Sequence, residues 1–152
     1  KMKKIYENRW GIEEFFFVCK TGCRLEAEHV DGLISFQRLL VVVMVAATHL
    51  LRWVSVARSQ PEQAASDLVD DETRQATKET CDFDRIPYPR KKWTIGDFVL
   101  LLARLGGYEV RKTTSYGWQA VWKGWARVQR HRAIVEHDRK RLGRSNPREK
   151  LP

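Results

Sequence analysis

The chain has 152 residues, of which 43% are hydrophobic and six are tryptophan, so it can form a packed core and is not expected to be disordered. Its formal net charge is +9, and 12 of the 28 basic residues but only 3 of the 19 acidic residues fall within 111–152. Charge alone does not choose between nucleic acid, an acidic protein and an anionic membrane as the partner of this basic end. The three cysteines, an odd number without a signal-type N-terminus, indicate free thiols in a reducing cytoplasm.

The first third of the chain predicts two helices. Residues 3–20 form the first, and Thr21-Gly22 supplies its stop. Apolar and charged residues then alternate over 24–28, which indicates a short extended segment. A long helix is predicted over 31–58, with Asp31 as its N-cap. Its most apolar run, 39–51, is interrupted by His49 and flanked by Arg38 and Arg52, and it is shorter than the ~20 residues that a membrane-spanning helix needs, so we expect a buried core helix and no membrane.

A connector follows over residues 61–92. Its first part, 61–84, is acidic and weakly apolar, which fits either a short helix between loops or a mobile connection. Its second part, 85–92, contains two prolines that exclude a regular helix, and it predicts an extended basic loop.

Helix signals return after the connector. Thr94 and Asp97 have the spacing of a capping box, and Gly106-Gly107 can end the helix that begins there. Ser115 is a candidate cap for a last long helix, from about 116 to 142. The fold class expected from these elements is mainly α, with at most a short strand.

Four polar residues in the first helix, Tyr6, Arg9, Glu13 and Lys20, are separated by three, four and seven positions. At about 100° per residue their directions fall within roughly 60° of one another, so they share one helix face. A carboxylate between cations and a phenol suits phosphodiester chemistry, with Glu13 on a divalent metal and the other three side chains on phosphates. The alternative is an ordinary solvated face in which Arg9 and Glu13 form an i,i+4 pair. The apolar stripe expected to anchor this helix is Ile5, Ile12, Phe16 and Cys19.

The last helix carries an apolar stripe about 120° wide, formed by Trp118, Val121, Trp122, Trp125 and Val128. The simplest interpretation is a core face that packs on the helix over 98–105, and a subunit interface is the second. Gly124, between Trp122 and Trp125, indicates either that another helix approaches closely there or that a glycine is simply tolerated at this position. The basic continuation of this helix is a solvated face or, as the second interpretation, a surface for DNA phosphates; it consists of Arg127, Arg130, Arg132, Arg139, Lys140, Arg141 and Arg144.

Three stretches resemble one protein family. Tyr-x2-Arg-x3-Glu-x6-Lys over 6–20 looks like the signature of the DDE transposases of the insertion-sequence-four family, and the segment 21–26 resembles the residues that follow it. Residues 103–108 and the Gly-Trp-x2-Val-Trp-x-Gly-Trp-x2-Val pattern over 117–128 look like the C-terminal dimerisation domain of the same family.

The resemblance implies that residues 1–60 are the end of an RNase H-like catalytic domain and that 93–152 are an all-helical dimerisation domain with a basic tail. It implies Glu13 as the catalytic metal ligand, and Tyr6, Arg9 and Lys20 as contacts to transposon-end DNA. Two aspartates that complete the Mg²⁺ or Mn²⁺ site precede this chain in the family, so the chain alone should bind no metal and be catalytically silent. The implied partners are transposon-end DNA and either a second copy or a full-length transposase, in the bacterial cytoplasm at the nucleoid.

Other interpretations stay open. The chain can be a free-standing helical module that associates with itself or binds a DNA backbone without catalysis. A general nucleic-acid-binding module is less favoured, because the tryptophans line an apolar stripe and do not alternate with the charges. A zinc site built from Cys19, Cys23, Cys81 and His29 has an unsuitable spacing, so ordinary buried thiols are preferred.

Overall fold

A computed structural model describes residues 12–22, 31–109 and 117–144. Within these ranges the regular structure is helical, and the sole β pairing is an isolated bridge between Ala64 and Thr94. The expectation of a mainly α fold is confirmed for these ranges. The helices are α1 (residues 12–17, continuing into a π-helical turn at Val18–Gly22), α2 (Leu33–Ser59), a short 3-10 turn (Ala65–Asp67), α3 (Asp71–Phe83), α4 (Ile95–Leu105) and α5 (Trp118–Arg144).

The start of α2 differs from the prediction. Its N-cap is Gly32, which has φ 90° and no capping side chain, so Asp31 was wrongly assigned as the cap. A positive φ is a conformation that glycine adopts at little cost, and this explains the boundary. The helix ends at Ser59, two residues before Pro61, as the sequence predicts.

The two halves of α2 have different surroundings. The buried residues Leu50, Trp53 and Val54 place the C-terminal half in the core. The N-terminal half buries only Val43 and Ala47 and leaves several large apolar side chains exposed, namely Leu33, Ile34, Phe36, Val41, Val42, Met44 and Val45. The prediction that the whole apolar run is buried is therefore wrong for its first part.

Helix α2 as a whole is long and apolar enough to cross a membrane, although its most apolar run, 39–51, is shorter than a membrane-spanning helix needs. Length and composition are the sole basis of that finding, and the core helix of a soluble protein satisfies it as well. No location in the cell follows from it.

Helix α3 shows that the acidic part of the connector is structured. Asp70 caps it, because its carboxylate accepts from the backbone N–H of Thr73 at 2.7 Å and from the Thr73 hydroxyl at 2.9 Å. The buried face consists largely of threonine and alanine, and the hydroxyls of Thr77 and Thr80 donate to the carbonyls four residues earlier. A threonine whose hydroxyl is satisfied within its own helix can be buried at low cost.

Helix α4 begins at the predicted capping box. The backbone N–H of Asp97 donates to the Thr94 hydroxyl, and the Asp97 carboxylate accepts from the backbone N–H of Thr94, both at 3.1 Å. The helix ends at the predicted Gly106-Gly107, where Gly107 has φ 90°.

Helices α4 and α5 cross at two glycines. A Cβ added to Gly124 would lie 1.7 Å from the Leu102 carbonyl oxygen, and one added to Gly106 would lie 1.8 Å from the Ala120 carbonyl oxygen. The predicted close approach of another helix at Gly124 is confirmed, and α4 is that helix. Each glycine therefore permits direct contact between the two backbones.

Trp53 of α2 lies in the middle of the main core. Its ring meets those of Phe98 and Trp125 edge-on, each with a centroid distance of 5.2 Å, and its indole N–H donates to the Leu68 carbonyl at 3.2 Å. The core also includes Ala65, Val69, Ala76 and Cys81 from the connector. The main core therefore contains residues from both sides of the predicted boundaries after residues 60 and 92. The division into 1–60, 61–92 and 93–152 stays a prediction.

Candidate functional site

Of the four polar residues predicted to share one helix face, Glu13 and Lys20 are described. Tyr6 and Arg9 lie outside the described residues, as do Cys23, His29, Ser115 and the segment 24–28. Glu13 is exposed on α1, and Lys20 is exposed in the π-helical turn. A π turn closes i→i+5 hydrogen bonds, so each of its residues advances by less than 100° about the axis, and Lys20 is shifted relative to the straight α-helical row.

The anchoring side of this segment differs from the predicted stripe. Of that stripe, Cys19 is buried as predicted, Ile12 and Phe16 are each 57% exposed, and Ile5 lies outside the described residues. Val18, which was not part of the stripe, is buried together with Cys19 against Val43 and Ala47 of α2. Phe15, Leu39, Leu51 and Trp118 pack around this second, smaller cluster. The segment is therefore docked on α2 and α5, while Glu13 is exposed.

Glu14, which the sequence analysis did not single out, is the carboxylate that the fold engages. Its Oε1 accepts a hydrogen bond from the indole N–H of Trp118 and lies 4.0 Å from the Arg58 guanidinium. The Arg58 guanidinium also lies over the Trp118 ring, 5.5 Å from its centroid. A half-buried indole N–H normally has an acceptor, so the need for a partner at Trp118 was a signal in the sequence, but its identity was not.

The three tryptophans of α5 have different neighbours. Trp118 contacts both the small cluster and the main core, and Trp125 packs on Trp53. Trp122 is partly buried against the main core and also lines an open groove of about 1390 Å³. All three contribute to packing within the chain, and their role in association between copies stays a prediction.

The groove beside Trp122 contains a pair of opposite charges. The Asp84 carboxylate is 10% exposed, and its Oδ1 accepts from Arg127 Nη2 at 2.7 Å. Its Oδ2 is buried without a hydrogen-bond partner among the described residues. Arg127, which the sequence analysis counted in the basic continuation of α5, is thus already paired within the fold.

The described residues do not assemble a metal site. Among them, no group of three or more His, Cys, Asp or Glu side chains lies close enough together to bind an ion. Glu13 is one exposed carboxylate, and the neighbouring Glu14 is engaged by Trp118 and Arg58. A two-metal site would therefore need carboxylates from beyond the described ranges.

The described thiols are not poised as metal ligands. Cys19 and Cys81 are both buried, and burial raises the pKa of each thiol. For Cys81, burial and the nearby carboxylates of Asp82 and Asp84 raise the pKa to about 12. Because the thiolate is the form that binds metal, such surroundings favour inert buried thiols.

No protein-family model matches this chain. The signature spacing around Glu13 and the pattern around Trp118 therefore carry what can be proposed about its activity.

Proposed function

We propose that this chain is the C-terminal portion of a cut-and-paste DNA transposase of the insertion-sequence-four type. The observation that carries the proposal is the spacing of Tyr6, Arg9, Glu13 and Lys20, followed downstream by the tryptophan pattern of α5. A supporting observation is that the two stretches contact each other, since Glu14 accepts from Trp118 beside the exposed Glu13. The proposal includes that residues 1–60 are the end of an RNase H-like catalytic domain.

In the intact protein, Glu13 is one ligand of a divalent-metal site that two upstream aspartates complete. Such a site supplies activation of water or of a 3′-hydroxyl for phosphoryl transfer. Tyr6, Arg9 and Lys20 bind backbone phosphates and orient the DNA end. An exposed carboxylate on a helix that is anchored by its opposite side suits this role, because the anchor restricts the helix while Glu13 stays accessible.

Two measurements test the proposal. The reading frame upstream of Lys1 should encode two aspartates within an RNase H-like strand pattern. The protein encoded by that extended frame should nick the ends of its element in the presence of Mg²⁺, and Glu13→Gln should abolish nicking. The matched variant Glu14→Gln should retain it, because the amide oxygen can still accept from Trp118.

Metal-dependent cleavage of a transposon end by the present chain alone, lost on Glu13→Ala, would contradict the proposal. So would an extended frame without the two aspartates.

A second candidate is a non-catalytic association module, which the exposed apolar residues of α1 and α2 favour. Contiguous apolar surface on a folded domain commonly marks a site of association. Light scattering distinguishes this candidate from a monomer. A strictly monomeric chain at high concentration would count against it.

A further inference from the structure

Five cations from two separate parts of the chain converge beside α3. Arg74 and Lys78 belong to that helix, and Arg90, Lys91 and Lys92 belong to the loop that precedes α4. With Gln75, Pro89 and Trp93 they line a shallow groove of about 290 Å³, and no acidic residue is among its lining. We name these five cations the basic patch.

The loop that contributes three of these cations is held by hydrogen bonds. The indole N–H of Trp93 donates to the Pro89 carbonyl at 2.9 Å, and the Tyr88 hydroxyl donates to Asp82 at 2.9 Å. Arg104 of α4 donates to the Pro87 carbonyl at 3.1 Å. Because the loop is tied to both α3 and α4, little loop entropy would be lost when the patch binds a ligand.

The cations of the basic patch are largely uncompensated. Lys78, Arg90, Lys91 and Lys92 are exposed, and none of them forms an ion pair within the described ranges; Arg74 is paired with Asp71. By contrast, three cations of α5 are paired, Arg127 with Asp84, Arg132 with Glu72 and Lys140 with Glu136. A set of like charges fixed close together is unfavourable until an anion binds, so the patch suits a polyanion better than the paired cations of α5 do.

The side chains around the patch favour a duplex backbone over other polyanions. An interfacial membrane anchor needs exposed apolar side chains beside its cations, and none of the large exposed apolar residues of the described ranges lines this groove; Phe83, the one on α3, lines the groove beside Trp122 instead. Single-strand binding needs exposed aromatic rings for base stacking, whereas Trp93 in this groove is 9% exposed. Phosphate contact requires only the cations.

We infer that the basic patch binds the phosphate backbone of a nucleic-acid duplex without reading its sequence. This site is separate from the Glu13 signature and from the basic end of α5, and neither the resemblance nor the proposed catalysis assigns it a role.

The test is binding of the 152-residue chain to a fluorescein-labelled 20-base-pair DNA of arbitrary sequence, followed by anisotropy in EDTA over a range of salt concentrations. The double variant Lys91→Gln, Lys92→Gln should reduce the slope of log Kobs against log salt by about two and weaken binding by about tenfold. The matched control, Arg38→Gln with Arg52→Gln, removes the same charge from two exposed positions of α2 and should leave the slope unchanged. Circular dichroism establishes that both variants remain helical.

An equal loss in both double variants would overturn the inference, because net charge alone would then explain binding. An unchanged slope for the patch variant would also overturn it, as would binding to phosphatidylserine vesicles in preference to DNA. The assay contains neither metal nor transposon ends, so its outcome is independent of whether the catalytic proposal succeeds.

Discussion

At the level of single residues, Glu14 connects the N-terminal segment to α5. We expect Glu14→Ala to lower the free energy of unfolding by about 1–2 kcal/mol, because the half-buried indole N–H of Trp118 would lose its acceptor. Glu14→Gln keeps an acceptor oxygen and should lose less than half as much. Urea denaturation with an unchanged m-value measures both. Equal losses for the two variants would mean that the charge near Arg58, and not the hydrogen bond to Trp118, is what the fold requires.

At the level of the helix, the N-terminal half of α2 has a packed side and an exposed side at adjacent positions. Val43 packs in the small cluster and is 6% exposed, whereas Val42 is 65% exposed. Val43→Ser should destabilise the chain by about 2 kcal/mol through lost burial, whereas Val42→Ser should stay within about 0.5 kcal/mol. Valine and serine have similar helix propensities, so the two variants differ mainly in packing. Thermal denaturation compares them, and a comparable loss at Val42 would show that this side is covered in solution.

At the level of the whole molecule, the crossing of α4 and α5 decides how the main core closes. Gly124→Ala should cost about 3 kcal/mol or more, because its Cβ would overlap the Leu102 carbonyl and force the two helices apart. Gly117→Ala is the matched control, since a Cβ there meets nothing within 4 Å. The double variant Gly106→Ala, Gly124→Ala should lose less free energy of unfolding than the two single variants lose together, because either alanine alone already separates the helices. A native-like melting temperature for Gly124→Ala would contradict the crossing.

Several features of this fold could be predicted from the sequence because they depend on residues close together in the chain. The capping box of Thr94 and Asp97, the stop at Gly106-Gly107 and the end of α2 before Pro61 each involve only a few consecutive positions. The close approach at Gly124 could also be predicted as one of two interpretations, because a glycine inside a helix lowers its stability and close contact with another helix can compensate for that loss. Its partner could not, because nothing near Gly124 in the chain identifies α4.

Other features depended on the tertiary structure. The weak apolar pattern of 61–84 did not decide between a helix and a mobile connection. The reason is that the buried face of α3 consists largely of threonines, and the hydroxyls of Thr77 and Thr80 donate to carbonyls of the same helix. The apolar stripe of α1 was wrong at Ile12 and Phe16, because helical periodicity does not specify which apolar side packs against another helix. Val18, and not Phe16, packs against α2 beside Cys19.

By itself, the sequence determined the mainly helical class, the caps and stops, and the signature spacing around Glu13, since each follows from residues within a few turns of one helix or its ends. Only the tertiary structure decided that Glu14 meets Trp118, that one side of the N-terminal half of α2 is exposed, and that the cations of α3 and of the loop before α4 form one patch. The hydrogen bonds that cap a helix end join residues within about four positions of each other in the chain. Burial and charge clustering depend on which distant segments become neighbours when the chain folds.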